Sequence, residues 1–420
     1  MKYSLQHRLT SCWWWKLETF VPEEESFHVR LGSKMGITDS IAERALALEP
    51  SLIREVAELG MKQGDVLPLW FGEGAWPTNQ LIVDAAVASL QAGNHKYQPN
   101  NGAMNLRTAI SEYSNNLLGC QLTPEQITVT PSGMQGLMLA AELLVTPGDK
   151  VVAVEPGWPN IVGCFKAQGA QAETLSLSVQ DGRWVLDIEA LLALLTPDTK
   201  AVLINSPNNP TGWTMPAADQ QRVLQHCREY GIWIVADDVY SRLYRHDSHA
   251  PSFLSLAEPV DRLISVNSFS KSWSMTGWRL GWMVAPAECE AKLGQLTEFN
   301  TCSTPGFIQD AGVVALREGD AEVAQLQRKI QAGYEITAQE LSRFSRVEFI
   351  EPDGAFYSFF RVDGLNDSLT AAKTIMQETK VGLAPGVAFG AEGEGYLRLC
   401  YAQPEAVLER AFIQLTPFLY

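Results

Sequence analysis

Residues 268–281 read Ser-Phe-Ser-Lys-Ser-Trp-Ser-Met-Thr-Gly-Trp-Arg-Leu-Gly. One lysine, Lys271, precedes an arginine, Arg279, with the hydroxyls of Ser268 and Ser270 just upstream and Gly277 and Gly281 flanking the arginine. A lysine amine holds an aldehyde as a Schiff base. Two hydroxyls and a guanidinium together suit a phosphate dianion. The competing reading is a serine-rich loop that leads into a strand over 280–284 and leaves Lys271 in solvent.

A molecule with both an aldehyde and a phosphate, such as pyridoxal 5'-phosphate (PLP), makes further demands that can be sought along the chain. Its ring acts as an electron sink only while the pyridine nitrogen is protonated, which calls for a buried carboxylate. Residues 232–240, Ile-Trp-Ile-Val-Ala-Asp-Asp-Val-Tyr, run as an apolar strand into Asp237 and Asp238. A carboxylate there is costly unless it has a partner. Upstream, the apolar run 201–205 leads into Ser-Pro-Asn-Asn-Pro-Thr-Gly at 206–212, a rigid loop at the end of a strand, where open α/β sheets bind ligands. Residues 127–130 read as a strand, and Ser132-Gly133-Met134-Gln135-Gly136 then opens a helical stretch whose amino terminus can receive a phosphate. A fourth strand, 151–154, is followed by Glu-Pro-Gly-Trp-Pro-Asn at 155–160.

Taken in this order, the segments resemble the class I/II aminotransferases of the fold-type-I PLP-dependent enzymes, the aspartate aminotransferase superfamily. The resemblance rests on S-x-S-K with G-x-R-x-G, on D-x-x-Y at Asp237 and Tyr240, and on a loop like N-P-x-N-P-T-G in which Ser206 stands where the family pattern has its first asparagine. It implies PLP as cofactor, with Lys271, Asp237 and Tyr240 catalytic. Asp237 would meet the pyridine nitrogen, with Asp238 as competitor for that place, and Tyr240 and Asn209 the ring's phenolic oxygen. Ser132, Gly133, Met134, Ser268, Ser270 and Arg279 would hold the phosphate, and Trp158 would stack on the ring. Tyr97, in Tyr-Gln-Pro-Asn-Asn-Gly at 97–102, would reach the phosphate of a neighbouring subunit, which implies a homodimer with shared active sites. Arg398, within a strand over 396–400, would form a bidentate pair with the substrate α-carboxylate, a task suited to a planar guanidinium. Asn209 and Gly72 would also meet substrate. No role passes to Ser206.

Aliphatic strands alternate with helical segments from about residue 100 to 300, the pattern of a parallel sheet. The expected fold is α/β, a mostly parallel, seven-stranded-type sheet flanked by helices, with a smaller α+β domain. The expected divisions are 1–39 an amino-terminal extension or arm, 40–87 the first part of the small domain, 88–303 the large PLP-binding domain and 304–420 the rest of the small domain. In residues 1–34 the sequence is unlike the remainder. Either the true start is Met35 or this segment is a dimer-clasping arm. With 32 basic and 48 acidic residues the net charge is −16, which disfavours nucleic acid and anionic membranes as partners. Seven scattered cysteines without C-x-x-C suit reduced thiols in a cytoplasm, and the six histidines form no metal motif.

The expected activity is transfer of an amino group between an L-amino acid and a 2-oxo acid through a Lys271 Schiff base, with those small molecules as partners. PLP-dependent lyase chemistry on the same fold is the first alternative. A non-catalytic PLP-binding sensor is the second, and the residues before the PLP domain show neither a helix-turn-helix pattern nor a basic stripe to support it. Dicarboxylate-specific relatives place a cation near the distal carboxylate, in one subgroup at the position that is Met134 here. With Met134 there and Trp76 expected at the entrance, a neutral donor such as Phe, Leu or Met is expected to be preferred over Asp or Glu. Arg242 and Arg245 are the cations able to change that, and glutamate remains a candidate second partner.

Overall fold

Seven short runs pair into one sheet: β1 (Ile127–Thr130), β2 (Lys150–Glu155), β3 (Gln171–Ser176), β4 (Thr199–Asn205), β5 (Trp233–Asp237), β6 (Leu263–Ser268) and β7 (Gly281–Val284). Their spatial order is β1-β7-β6-β5-β4-β2-β3. Only β7 runs antiparallel to its neighbours, and the pairs from β6 through β3 are parallel. The computed structural model describes residues 40–420. Within it Glu43–Tyr420 form one compact unit. The expectations for residues 1–34 and for Met35 fall outside the described residues.

The central strands read as unbroken apolar runs because both faces of the sheet are covered. Val151 and Ala153, Ala201 and Leu203, and Ile264 and Val266 point to one core, which includes helices Gly133–Leu144 and Pro159–Ala167. Their neighbours Val152 and Val154, and Val202 and Ile204, point to the opposite core, as the two-residue strand period requires. Each buried Val, Leu or Ile contributes about 1.5–3 kcal/mol, so a one-residue slip of any central strand would exchange two apolar sets of different shape. The register is thereby fixed, and with it the residues that end each strand: Asn205 lies opposite Asp237, and Asp237 opposite Val266.

A four-stranded antiparallel sheet follows, with strands Val347–Glu348, Tyr357–Val362, Tyr396–Cys400 and Ala384–Pro385 in that spatial order. Helices Ser368–Thr379 and Leu52–Gln63 pack together beside it, and helix Glu405–Leu419 packs on Ser368–Thr379 and on the long helix Asp320–Leu341. In its register Phe359 lies opposite Arg398 and Tyr357 opposite Cys400, so one face of the two central strands carries both an aromatic hydroxyl and a guanidinium. The α/β sheet of seven strands and the smaller α+β layer are as expected. Two strands, β3 and β6, had not been picked out in the sequence. Helix Gln80–Gln91 runs through residue 88. Among the described residues no helix is long and apolar enough to cross a membrane, and no group of three or more His, Cys, Asp or Glu could hold a metal ion.

Candidate active site

The carboxyl ends of β4, β5 and β6 open on a cavity of about 350 Å³, and Asn205, Asp237 and Ser268 line it. Asp237 is buried and accepts a hydrogen bond from the Val239 amide at 3.2 Å. Burial pushes its carboxyl up to about 7, against the lowering effect of that amide. Asp238 leaves the strand end on the other side, where Ser265 Oγ at 2.6 Å and Ser252 Oγ at 3.3 Å donate to Oδ2. Two serine hydroxyls hold its Oδ2 and it does not line the cavity, so of the two aspartates only Asp237 faces that space. Asn205, which sequence reading had passed over, braces the floor. Its amide donates to the Asp237 carbonyl at 3.0 Å, and its Oδ1 accepts from the Asn209 amide at 2.8 Å. Ser206 has a structural task instead: its Oγ accepts from the Met215 amide at 2.9 Å.

Behind the floor, β1 turns into helix Gly133–Leu144. Ser132 caps it, accepting from the Gln135 amide at 3.2 Å. In the first turn the amides of Gly133 and Met134 have no intrahelical acceptor and face an anion's natural place. Ser132 adopts φ 115°, a conformation costly for a residue with a side chain. The turn is held there by β7: a Cβ on Gly281 would lie 2.6 Å from the Gly133 nitrogen and 2.7 Å from the Ser132 carbonyl carbon. Only a glycine at 281 lets the two backbones meet. Ser268 and Ser270 line the same corner, hydrogen-bonded Oγ to Oγ at 2.9 Å. Arg279, at φ 54°, also lines it and donates to the Thr276 carbonyl at 2.6 Å. Ser132 itself is buried beneath the turn and contributes through its cap.

Lys271 extends from the short helix Phe269–Ser272 to donate to the Gly72 carbonyl. Enclosure of the amine lowers its pKa to about 8. The roof comes from the second sheet. Tyr240 and Tyr357 join hydroxyl to hydroxyl at 2.6 Å, and burial raises both phenols, so both stay neutral. A Cβ on Gly72 would fall 1.9 Å from the Tyr357 hydroxyl, which makes glycine obligatory there. Arg398 is 2% exposed. It donates to Asn209 Oδ1 at 2.8 Å and to the Trp70 carbonyl, and lies over the Tyr357 ring at 4.4 Å. Its Nε is buried without a partner. An unpartnered donor on a buried cation marks a place where an acceptor belongs. Nothing local in the sequence distinguishes Tyr357.

Met134, Leu137, Trp158, Phe71 and Ile53 form an apolar wall. Tyr97 is elsewhere: it is 90% exposed and does not line the cavity of its own chain. Trp76 is not at this entrance either; it lines a different cavity, with Lys329 Nζ 5.4 Å from its ring centroid. Arg242 is taken up by Tyr113, Asp320 and the Ser248 carbonyl. Arg245 is occupied by the Pro352 carbonyl and the Tyr334 ring, and neither arginine reaches the cavity. Arg54 does line it, together with Ser51. The premise that the cavity lacks a further cation is therefore corrected.

The family described as aminotransferase class I and II matches residues 68–414. The chain belongs to the class I and II aminotransferases. An aspartate aminotransferase of Pyrococcus horikoshii is 32% identical over 88% of this chain and 95% of its own. An arginine–pyruvate transaminase of Pseudomonas aeruginosa is also 32% identical, over 81% of this chain and 86% of its own. Among solved structures, an aspartate aminotransferase of Thermus thermophilus with maleate superimposes with a TM-score of 0.84 at 28% identity, covering 90% of this chain and 99% of that one. This aminotransferase is accordingly an enzyme of a PLP-dependent family, moving an amino group between an L-amino acid and a 2-oxo acid. The transaminase relatives favour that reaction over the lyase and sensor alternatives. Relatives of equal identity differ in donor, so the donor has to be read from the cavity.

Proposed function

We propose that this aminotransferase binds PLP on Lys271 and transfers amino groups in a cytoplasmic homodimer. The observation that carries the reading is the convergence, on one cavity, of an amine, a buried carboxylate, a phenol, a first-turn amide pair and a buried guanidinium with an unpartnered nitrogen. These groups fit the aldehyde, ring nitrogen, phenolic oxygen and phosphate of PLP and the carboxylate of an amino acid. PLP, when bound, supplies an electron sink for the bond broken at the substrate's α-carbon.

The protein's residues would do the rest. Asp237 holds a proton at the ring nitrogen. Tyr240 and Asn209 donate to the phenolic oxygen. The Gly133 and Met134 amides, Ser268, Ser270 and Arg279 hold the phosphate, Ser132 keeps the amides aimed, and Trp158 covers the ring face. Arg398, with Asn209 beside it, takes the substrate α-carboxylate, and Gly72 leaves room above it. Lys271, with its pKa lowered to about 8, would accept the proton from the substrate α-carbon and return it two atoms along, at the cofactor's aldehyde carbon. Tyr97 reaches the phosphate of a second copy. We also infer a large PLP-binding part over 88–303 between the end segments 40–87 and 304–420, with helix Gln80–Gln91 bridging the first boundary.

Mixing the PLP-loaded protein with single L-amino acids tests the reading. The visible band should give way to pyridoxamine phosphate absorption, and mass spectrometry should find the matching 2-oxo acid. Release of ammonia, or no spectral change with any amino acid, would refute it.

A further inference from the structure

The Tyr240 hydroxyl has one proton and two places to send it. On the functional reading above, that proton goes to the phenolic oxygen of PLP. Yet the same hydroxyl stands 2.6 Å from the hydroxyl of Tyr357, a separation that requires a proton between the two oxygens. With the Tyr240 proton given to the cofactor, only Tyr357 can supply it. Among the described residues neither hydroxyl has another hydrogen-bond partner. The pair therefore holds one proton in their contact and one left for the cavity that both residues line.

The surroundings favour Tyr357 as the donor within the pair. The Arg398 guanidinium lies 4.4 Å from the Tyr357 ring centroid, whereas Lys271 Nζ is 5.7 Å from that of Tyr240. A cation close over a ring favours negative charge on the phenol oxygen and makes its hydroxyl the stronger donor. The Tyr357 hydroxyl is also fixed in place. Its ring is fully buried, packed edge-on against Phe356, and its oxygen fills the space that a Cβ on Gly72 would take, a point 3.4 Å from Lys271 Nζ. The guanidinium there cannot accept a proton, and the lysine amine is bound to the Gly72 carbonyl, which leaves the Tyr240 oxygen as the acceptor.

We propose, resting on the PLP reading of this cavity, that Tyr357 is a positioning residue for the cofactor: it donates its proton to Tyr240, turns the Tyr240 proton toward the cavity and strengthens the bond which that proton makes to the phenolic oxygen of PLP. Hydrogen bonds in a chain polarise one another, so a hydroxyl that accepts one becomes a better donor of the next. The effect is read in PLP joined to Lys271. Loss of the Schiff-base proton leaves the phenolic oxygen's negative charge without its positive neighbour. A donor to that oxygen therefore stabilises the deprotonated form more than the protonated one, and lowers the pH at which the visible band changes.

Spectrophotometric pH titration of the PLP-loaded protein tests this at rest, with no substrate present. Tyr357→Phe should raise the midpoint by about 0.2–0.7 pH unit, the share of a hydrogen bond to a charged oxygen that chain polarisation supplies. Tyr240→Phe should raise it by about one to two units, and adding Tyr357→Phe to that variant should change nothing further. Replacing Tyr357 with 3-fluorotyrosine, a stronger donor of nearly the same volume, should lower the midpoint, and this tests the sign even where Tyr357→Phe folds poorly. Asp237, Arg398 and Cys400 also act on the two phenols, and Lys271 stands over the Tyr240 ring. These groups are common to every variant, so the differences belong to the hydroxyls. An unchanged midpoint in Tyr357→Phe, a rise with 3-fluorotyrosine, or an equal shift with and without the Tyr240 hydroxyl would overturn the proposal while leaving PLP on Lys271. Absence of any visible band that depends on Lys271 would overturn the PLP reading and this inference with it.

Discussion

Asp237 shows how a single buried charge links stability to chemistry. Burial raises its carboxyl from 3.8 to about 7, against the lowering pull of the Val239 amide and the Lys271 ammonium, which means that the fold favours the neutral acid. The stabilising contribution is fully present below the unfolded value and is lost as pH rises through about 7, leaving a cost on the order of 4 kcal/mol above it. Asp237→Asn should therefore raise the melting temperature of the cofactor-free protein at pH 8. The difference should shrink as pH falls toward 4. Loading with PLP should reverse the order at pH 8, because a ring cation then pairs with the carboxylate. Melting curves of both proteins across pH, with and without PLP, check this, and an Asp238→Asn variant should show no such reversal. Lys271 gives a second pH signature. Only the neutral amine attacks an aldehyde, so the rate at which cofactor-free protein captures PLP should climb between pH 7 and 9 with a midpoint near 8. A flat profile would mean that amine deprotonation does not limit capture. Asp237 and Asn209 were legible because each ends or follows an apolar strand, where a polar side chain has to have a reason, and Lys271 because serines and an arginine flank it in one short run. Asn205 and Tyr357 were not, because their roles arise from partners brought close only by the fold.

At the scale of elements, the meeting of β7 with the turn before helix Gly133–Leu144 shapes the corner proposed to hold the phosphate. Gly281 pairs with Thr130 on one side and Ser268 on the other, so it joins the turn to the lysine segment. A methyl group there would press on backbone atoms, which cannot rotate away as a side chain can. Gly281→Ala should cost about 1–3 kcal/mol of stability and weaken PLP binding, while the same change at Gly163, where nothing lies within 4 Å of the added carbon, should be tolerated. Thermal unfolding and PLP titration of the two variants measure this. The sequence around Gly281 announced a glycine-flanked arginine but not the contact that requires the glycine. Strand existence was readable from apolar runs, whereas the order β1-β7-β6-β5-β4-β2-β3 was not, since it depends on which neighbours each strand pairs with after the intervening helices have packed. Strand β3 escaped notice for a related reason: it lies at the sheet edge and its residues Gln171–Ser176 are largely polar and mostly accessible.

For the whole molecule the telling residue is Tyr97. A tyrosine 90% exposed on a loop gains nothing from burial in its own chain. The loop is nevertheless firmly held: the Gln98 amide donates to Ser303 Oγ at 3.3 Å, and Asn101 donates to Thr128 Oγ1 at 3.0 Å and to the Glu290 carbonyl at 3.0 Å. Met104 and Phe299 are exposed nearby in the chain segments that this network joins, 55% and 88% accessible. A rigid loop that presents an aromatic hydroxyl outward suits a two-fold partner whose own copy presents the same loop in return. If Tyr97 serves the phosphate of the other subunit, two inactive variants should repair one another. In a mixed dimer of Tyr97→Ala and Arg398→Ala, one site combines an intact Arg398 with the intact Tyr97 of the partner, and the other site carries both defects. Random exchange of equal amounts makes half of the dimers mixed, each with one good site of two, so activity should recover to about a quarter of wild type. Subunit exchange is to be confirmed by native mass spectrometry. Exchange without recovery would confine Tyr97 to its own chain, and the phosphate would then depend on the Gly133 turn, Ser268, Ser270 and Arg279 alone.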